Sequence, residues 1–196
     1  MSRFLLCAVV FTSMLQAAEP AKLTTEPYKD ADLTIQVPKG WRLMKPGGKF
    51  LFHLTGDGIQ LPATDGTAPL QAGMSVEKYP NTKEPVTAGA ASLVKAASAG
   101  GAFKPSEPGK VDAVKLSDGN PAALITMQGV KNGTRTSLQL KLLTKGEGDT
   151  GYVVSAWLVG APGSKIATAT SPEAQALTAL LKSVTLAKPA EKTKAP

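Results

Sequence analysis

Residues 122–159 read AALITMQGVKNGTRTSLQLKLLTKGEGDTGYVVSAWLV, and the fold turns on how this stretch is read. Three strand-like runs, 122–130, 134–144 and 151–159, are joined by two turns. Lys131-Asn132-Gly133 is a strong hairpin signal, because the tightest hairpin turn needs positive φ and Asn-Gly tolerates it. Leu138, Leu140 and Leu142 recur at period two and so share one face of a strand. Lys145-Gly146-Glu147-Gly148-Asp149 turns the chain back. The run 151–159 is apolar in both registers, with Tyr152, Val154, Ala156 and Leu158 on one side and Val153, Ser155, Trp157 and Val159 on the other. A strand covered on both sides reads this way, so helices are expected on both faces of the sheet around it.

The flanking sequence fits that centre. Residues 110–116 form a further strand ending at Ser117-Asp118-Gly119-Asn120, where Asp-Gly marks another hairpin. Upstream, Leu33, Ile35 and Val37 alternate with Thr34 and Gln36, and Pro38-Lys39-Gly40 stops that strand. Strands are also expected at 49–55 and 73–80. Between them, residues 56–72 carry several Gly and Pro with little period and read as a long loop, a kind that is often functional. Residues 85–99 change period: Val86, Ala90, Leu93, Val94 and Ala97 fall at helical spacing, and Gly100-Gly101 ends the run. A second helix starts at Ser171-Pro172, with Ala174, Leu177, Leu180, Leu181 and Val184 as its stripe. The expected fold class is α+β: a central antiparallel β-sheet flanked by helices on both faces, an α/β/α sandwich.

Both ends of the chain read differently from the body. Arg3, the apolar run 4–15 and the small residues Ala17 and Ala18 make the three-part pattern of a secretory signal peptide, with cleavage expected after Ala17 or Ala18, Ala18 being preferred. The run is too short to span a bilayer of ~30 Å as a helix, so no transmembrane span is expected. Cys7 lies inside that run, and removal of 1–18 leaves no cysteine and lowers the net charge from +7 to +6. A cysteine-free chain suits an oxidising compartment, periplasmic or extracellular. Residues 187–196, with Lys188, Lys192 and Lys194 against Glu191, read as a disordered Lys/Pro/Ala tail. Such a tail suits weak contact with anionic surfaces, although a solubilising end is the plainer reading. One globular domain is expected over 19–186.

Two patterns then carry a resemblance. Leu33-Thr34-Ile35-Gln36-Val37-Pro38-Lys39-Gly40-Trp41 is a strand running into Pro-x-Gly-Trp, and Leu181-Lys182-Ser183-Val184-Thr185-Leu186 follows the last helix. With the order of elements between them, the chain resembles the PsbP-like superfamily, which includes PsbP and DcrB-like bacterial envelope proteins. The resemblance implies an α/β/α sandwich and an accessory or binding role. It implies no shared catalytic set and no photosynthetic role for this chain.

The chemistry-bearing residues exclude more than they suggest. One His and one Cys rule out multi-His and Cys-rich metal centres. Asp57, Asp65, Asp112, Asp118 and Asp149 form no calcium loop, and Asp118 and Asp149 read as turn residues. No Gly-x-Gly-x-x-Gly, Walker or Gly-x-Ser-x-Gly motif occurs, so no cofactor is implied. Ser-x-x-Lys occurs at Ser75…Lys78 and Ser92…Lys95 without its companion elements. Asn132-Gly133-Thr134 spells a glycosylation sequon, but the hairpin explains it better. The lysines are scattered and Arg42 and Arg135 are the arginines beyond Arg3, a pattern that does not fit nucleic acid. Trp41, Arg42, His53 and Trp157 remain as the candidate ligand or partner patch; for both tryptophans, core packing is the simpler reading.

The expected function is an exported, non-enzymatic accessory or binding protein of the cell envelope, its partner an envelope protein or a small ligand. The alternative is an envelope hydrolase using His53 with a nearby Ser or Asp.

Overall fold

The computed structural model describes residues 23–30, 33–44, 50–54, 60–61, 69–80, 84–101, 103–133, 135–146, 150–162 and 168–186. The leader 1–18 and the tail 187–196 lie outside the described residues. Within these residues are twelve strands and two helices: β1 (Thr25–Asp30), β2 (Leu33–Pro38), β3 (Leu43–Met44), β4 (Phe50–Leu54), β5 (Gln60–Leu61), β6 (Leu70–Pro80), α1 (Val86–Ala99), β7 (Phe103–Pro105), β8 (Lys110–Lys115), β9 (Pro121–Lys131), β10 (Arg135–Lys145), β11 (Thr150–Pro162), α2 (Pro172–Lys182) and β12 (Thr185–Leu186). No described helix is long and apolar enough to cross a membrane.

The main sheet is antiparallel and runs β3-β4-β6-β11-β10-β9-β7, with β5 also pairing β6 and β8 also pairing β9. The hairpin of residues 122–159 sits at its centre. Asn132 and Gly133 both adopt positive φ, at 51° and 79°, the conformation that an Asn-Gly pair tolerates in a hairpin turn. That turn sets Arg135 opposite Lys131 and Leu142 opposite Leu124. A second, three-stranded sheet has the order β1-β2-β12. Its strand β2 buries Leu33, Ile35 and Val37, as the alternation requires.

Each helix follows from its own local signals. In α2, the Ser171 hydroxyl accepts from the Ala174 amide at 3.3 Å and Pro172 opens the first turn. Helix α1 begins after Pro85 without a side-chain cap and ends at Gly100. At the far end of α2, the Ser183 hydroxyl donates to the Leu180 carbonyl at 2.6 Å and accepts from the Gln36 amide at 3.0 Å, which ties the helix to β2.

Two cores lie on opposite faces of the main sheet, because consecutive residues of one strand enter different cores. Leu140, Leu142, Tyr152, Val154, Ala156 and Leu158 pack with Leu177, Leu180 and Leu181 of α2 and with Leu33 and Ile35 of β2. Leu143 and Val153 point the other way and pack with Ala90 of α1 and with Ala123, Ile125 and Met127.

The helix-flanked sandwich is therefore corrected to a β-rich fold in which the layers are unequal. The α2 face is closed by a helix and a small sheet. Helix α1 packs against β7, β8, β9 and β10 and reaches Val153 of β11 and Tyr79 of β6; among the described residues no helix lies over the rest of the β11–β6 part of that face. The both-sides reading of 151–159 holds for burial, since each of these residues except Trp157 is buried, but the expected helical cover reaches Val153 and, among the described residues, not Ser155 or Trp157. The long-loop reading of 56–72 is corrected in part, at residues 60–61 and 70–72; residues 56–59 and 62–68 lie outside the described residues. Gln60 and Leu61 pair with Gln71 and Leu70, and β6 already starts at Leu70, where Leu70, Ala72, Met74 and Val76 form a buried alternation. The strand expected at 73–80 thus begins three residues earlier, with Gly73 inside it.

Candidate functional site

Strand β10 is two-sided: Leu138, Leu140 and Leu142 point to the closed core, while Arg135, Ser137, Gln139 and Lys141 line the open side. The ladders then fix what stands beside each of them. Ser137 is opposite Val159 of β11, Gln139 opposite Trp157, and Lys141 opposite Ser155. One strand further on, Val159 faces Gln71, Trp157 faces Gly73, and Ser155 faces Ser75 of β6. These rows form the floor of an open cavity of about 480 Å³, with Lys131, Asn132 and Glu77 at its margins. That size lies within the roughly 300–1,000 Å³ of small-molecule sites.

Trp157 lies across Gly73. A Cβ at position 73 would fall inside the indole, so the ring occupies the space that any other residue would fill. Glycine in mid-strand here permits a close side-chain approach. Trp157 is part-buried and borders the cavity.

Arg135 is held in place before any ligand arrives. Its Nε donates to the Gly160 carbonyl at 3.3 Å and its Nη2 to the Gln71 side-chain oxygen at 2.7 Å. A guanidinium has five N–H donors, so three remain beyond these two bonds. The cavity is lined by three cations, Lys131, Arg135 and Lys141, and one carboxylate, Glu77. At its floor, Ser137 is 1% exposed and Ser155 7%, and neither hydroxyl has a hydrogen-bond partner among the described residues. A buried hydroxyl left without a hydrogen bond costs roughly 1–3 kcal/mol, so such groups usually have a partner in the protein, in water or in a ligand.

The four residues singled out from sequence fall in three places. Trp157 is in the cavity. Trp41 follows the turn at Gly40, whose φ is +82°, and packs against the α2-side core, away from Trp157. Arg42 is exposed beside it. The backbone register sets His53 of β4 opposite Ser75 of β6; the side chains of 50–54 lie outside the described residues. Ser75 and Lys78 are three apart on one strand and so belong to opposite faces. Ser92 instead donates to the Ala88 carbonyl one helical turn back, at 3.3 Å. Among the described residues, no cluster of three His, Cys, Asp or Glu is placed to hold a metal ion. Asp118 is the turn residue expected: its carboxylate accepts from the Asn120 amide at 2.9 Å and from the Leu186 amide at 2.8 Å, joining the β8–β9 turn to β12. Partial burial opposes its ionisation, but these hydrogen bonds outweigh that and hold its pKa below the ordinary 3.8.

Lys131, Arg135, Ser137, Gln139, Lys141, Ser155 and Gln71 were not singled out as site residues. The available signal was the polar register of 135–141, which appears beside the leucines once the Asn132-Gly133 turn is used to align strands.

Compared with solved structures, the chain is similar to the Ran-binding protein Mog1p of Saccharomyces cerevisiae, at a TM-score of 0.55 and 13% identity over 84% of this chain and 96% of that one. It is also similar to LpqN, involved in cell envelope biogenesis of Mycobacterium tuberculosis (TM-score 0.46, 18% identity, 85% and 92% covered). A third is the cyanobacterial PsbP of Synechocystis (TM-score 0.46, 12% identity, 85% and 94% covered). The fold is PsbP/Mog1-like, the kind that the strand with Pro-x-Gly-Trp pointed to. At these identities the likeness concerns the fold alone. No protein-family model matches the chain, and no curated protein sequence matches it.

Proposed function

We propose that this chain is a non-enzymatic binding protein of the cell envelope, exported by the leader pattern of residues 3–18, and that it binds through the open half of the α1 face. The observation that carries the reading is the pair of buried, unpartnered hydroxyls, Ser137 and Ser155, at the floor of a cavity whose arginine is already fixed. A ligand hydroxyl, like an ordered water, can supply the partners that such a floor lacks. The Mog1-like fold is in keeping with it, since Mog1p is itself a binding protein by its description.

The mature chain is expected to co-sediment with envelope material from its source cells. Lys131→Glu should lower the bound fraction several-fold, while Lys95→Glu, on the exposed side of α1, should leave it unchanged. Equal loss from both variants would show non-specific charge attraction and contradict the reading.

The placement of His53 opposite Ser75 is the one observation favouring hydrolysis. Against it, Ser75 is 5% exposed in mid-strand, without the exposed turn that presents a nucleophile. Ester turnover above the blank that His53→Ala abolishes would favour the hydrolase over the binding protein.

A further inference from the structure

The chemistry of the cavity narrows the ligand, given the reading of this face as the binding site. We propose that the open face binds an acidic saccharide, with a carboxylate or phosphate at Arg135 and Lys131 and a sugar ring against Trp157.

The cations come first. Arg135 is preset by Gly160 and Gln71, and its remaining donors suit an oxyanion. Lys131 is its register neighbour across the tight turn, so the two positive groups are adjacent by construction of the hairpin. An anion there meets fixed charge and loses little freedom on binding.

The rest of the floor selects against a bare anion. Ser137 and Ser155 hydroxyls, and the amides of Gln139 and Asn132, can each both donate and accept. A bare phosphate or carboxylate ion would use only donors. A polyol ring, which itself donates and accepts at every hydroxyl, matches such a surface. An apolar ligand would leave the two buried serine hydroxyls as they are, at the cost already given.

Trp157 supplies the remaining part. A pyranose has one face of C–H groups, and the negative face of an indole attracts the positive edges of such groups. In the ladder Trp157 stands between Gly73, over which its indole lies, and Gln139, which lines the same cavity, so the cavity that holds a sugar on the indole also offers an amide to its hydroxyls.

A peptide strand is disfavoured for a different reason. Strand addition needs a free sheet edge, whereas this cavity lies on a face whose strands β6, β11 and β10 are each paired on both sides. Recognition here passes through side chains.

The test is calorimetric titration of the full mature chain with tri-galacturonate, with its methyl ester, and with tri-glutamate. Tri-galacturonate should bind, and the ester and the peptide should each bind at least about tenfold more weakly, the loss expected for one charged hydrogen bond. Arg135→Gln and Gln139→Ala should each weaken tri-galacturonate, Arg135→Gln by about tenfold or more. Melting curves establish that both variants are folded. Equal binding of the ester overturns anion recognition. Equal binding of tri-glutamate, lost in Arg135→Gln, overturns the saccharide while leaving the face as the binding site. No binding of any probe up to millimolar concentration overturns the saccharide, and co-sedimentation of Lys131→Glu then decides separately whether the face binds at all.

Discussion

The two faces of the main sheet are built from the same strands, one residue out of step; each carries an apolar core, but they part company along the outer half of β10, β11 and β6. On the α2 face, Leu138, Leu140, Leu142, Val154, Ala156 and Leu158 are each at most 1% exposed, under a helix and a second sheet. On the α1 face, the neighbouring positions are Ser137, Gln139, Lys141, Ser155 and Trp157, and the helix stops short of them. The difference teaches that the reach of the helices, rather than a special motif, marks the candidate site. Under α2 the chain places leucines; where no described helix reaches, it places groups that need partners.

The largest expected effect tests whether the faces are as unequal as described. Leu140→Ala removes a fully buried side chain and should destabilise by about 2–5 kcal/mol in urea unfolding. Gln139→Ala, the next residue, should stay within about 0.5 kcal/mol. A comparable loss at both positions would mean that the open face is in truth a packed one.

A smaller effect separates the two tryptophans. Gly73→Ala forces the Trp157 indole from its place and should cost about 1–3 kcal/mol. The emission spectrum should change in a Trp41→Phe background and stay constant in a Trp157→Phe background. An unaltered Trp157 signal would mean that the indole does not rest on Gly73.

Ser155→Ala should be near neutral or slightly stabilising, because it deletes a buried hydroxyl without a partner. A loss above about 1 kcal/mol would reveal a bond that the hydroxyl makes.

A pH-dependent effect concerns Asp118, which lies outside both faces. Its folded pKa is depressed, so its contribution is present above the unfolded value of about 3.9 and is lost as pH falls through the folded value. The melting temperatures of wild type and Asp118→Asn should differ at neutral pH and converge in acid. A gap that persists to pH 2 would remove the carboxylate's charge from the explanation.

Sequence reading reached the parts that local signals encode. The Asn132-Gly133 turn, the capped start of α2, the α1 stripe and the Leu33–Val37 alternation all lie where expected. Strand β1 was missed, because Thr25–Asp30 alternates no apolar residues, and β12 is only two residues long. Neither announces itself without its partner β2. The site was less legible still. Trp157 was singled out from 151–159, but the same face was read as covered. Whether a helix reaches Ser155 depends on where α1 docks, and no periodicity within β11 records that. Arg135 and Lys131 become a pair only through the ladder between β9 and β10. Trp41 and Trp157 looked alike as isolated aromatics, and only the third dimension separates core from cavity.

That separation also gives the most direct test. The sequence contains two tryptophans, so two indole N–H resonances report on the two faces. Titration with tri-galacturonate should shift the Trp157 indole and the Arg135 Nε–H resonances together, and leave the Trp41 indole in place. Shifts confined to Trp41, or no shift at Trp157 and Arg135, would contradict the account.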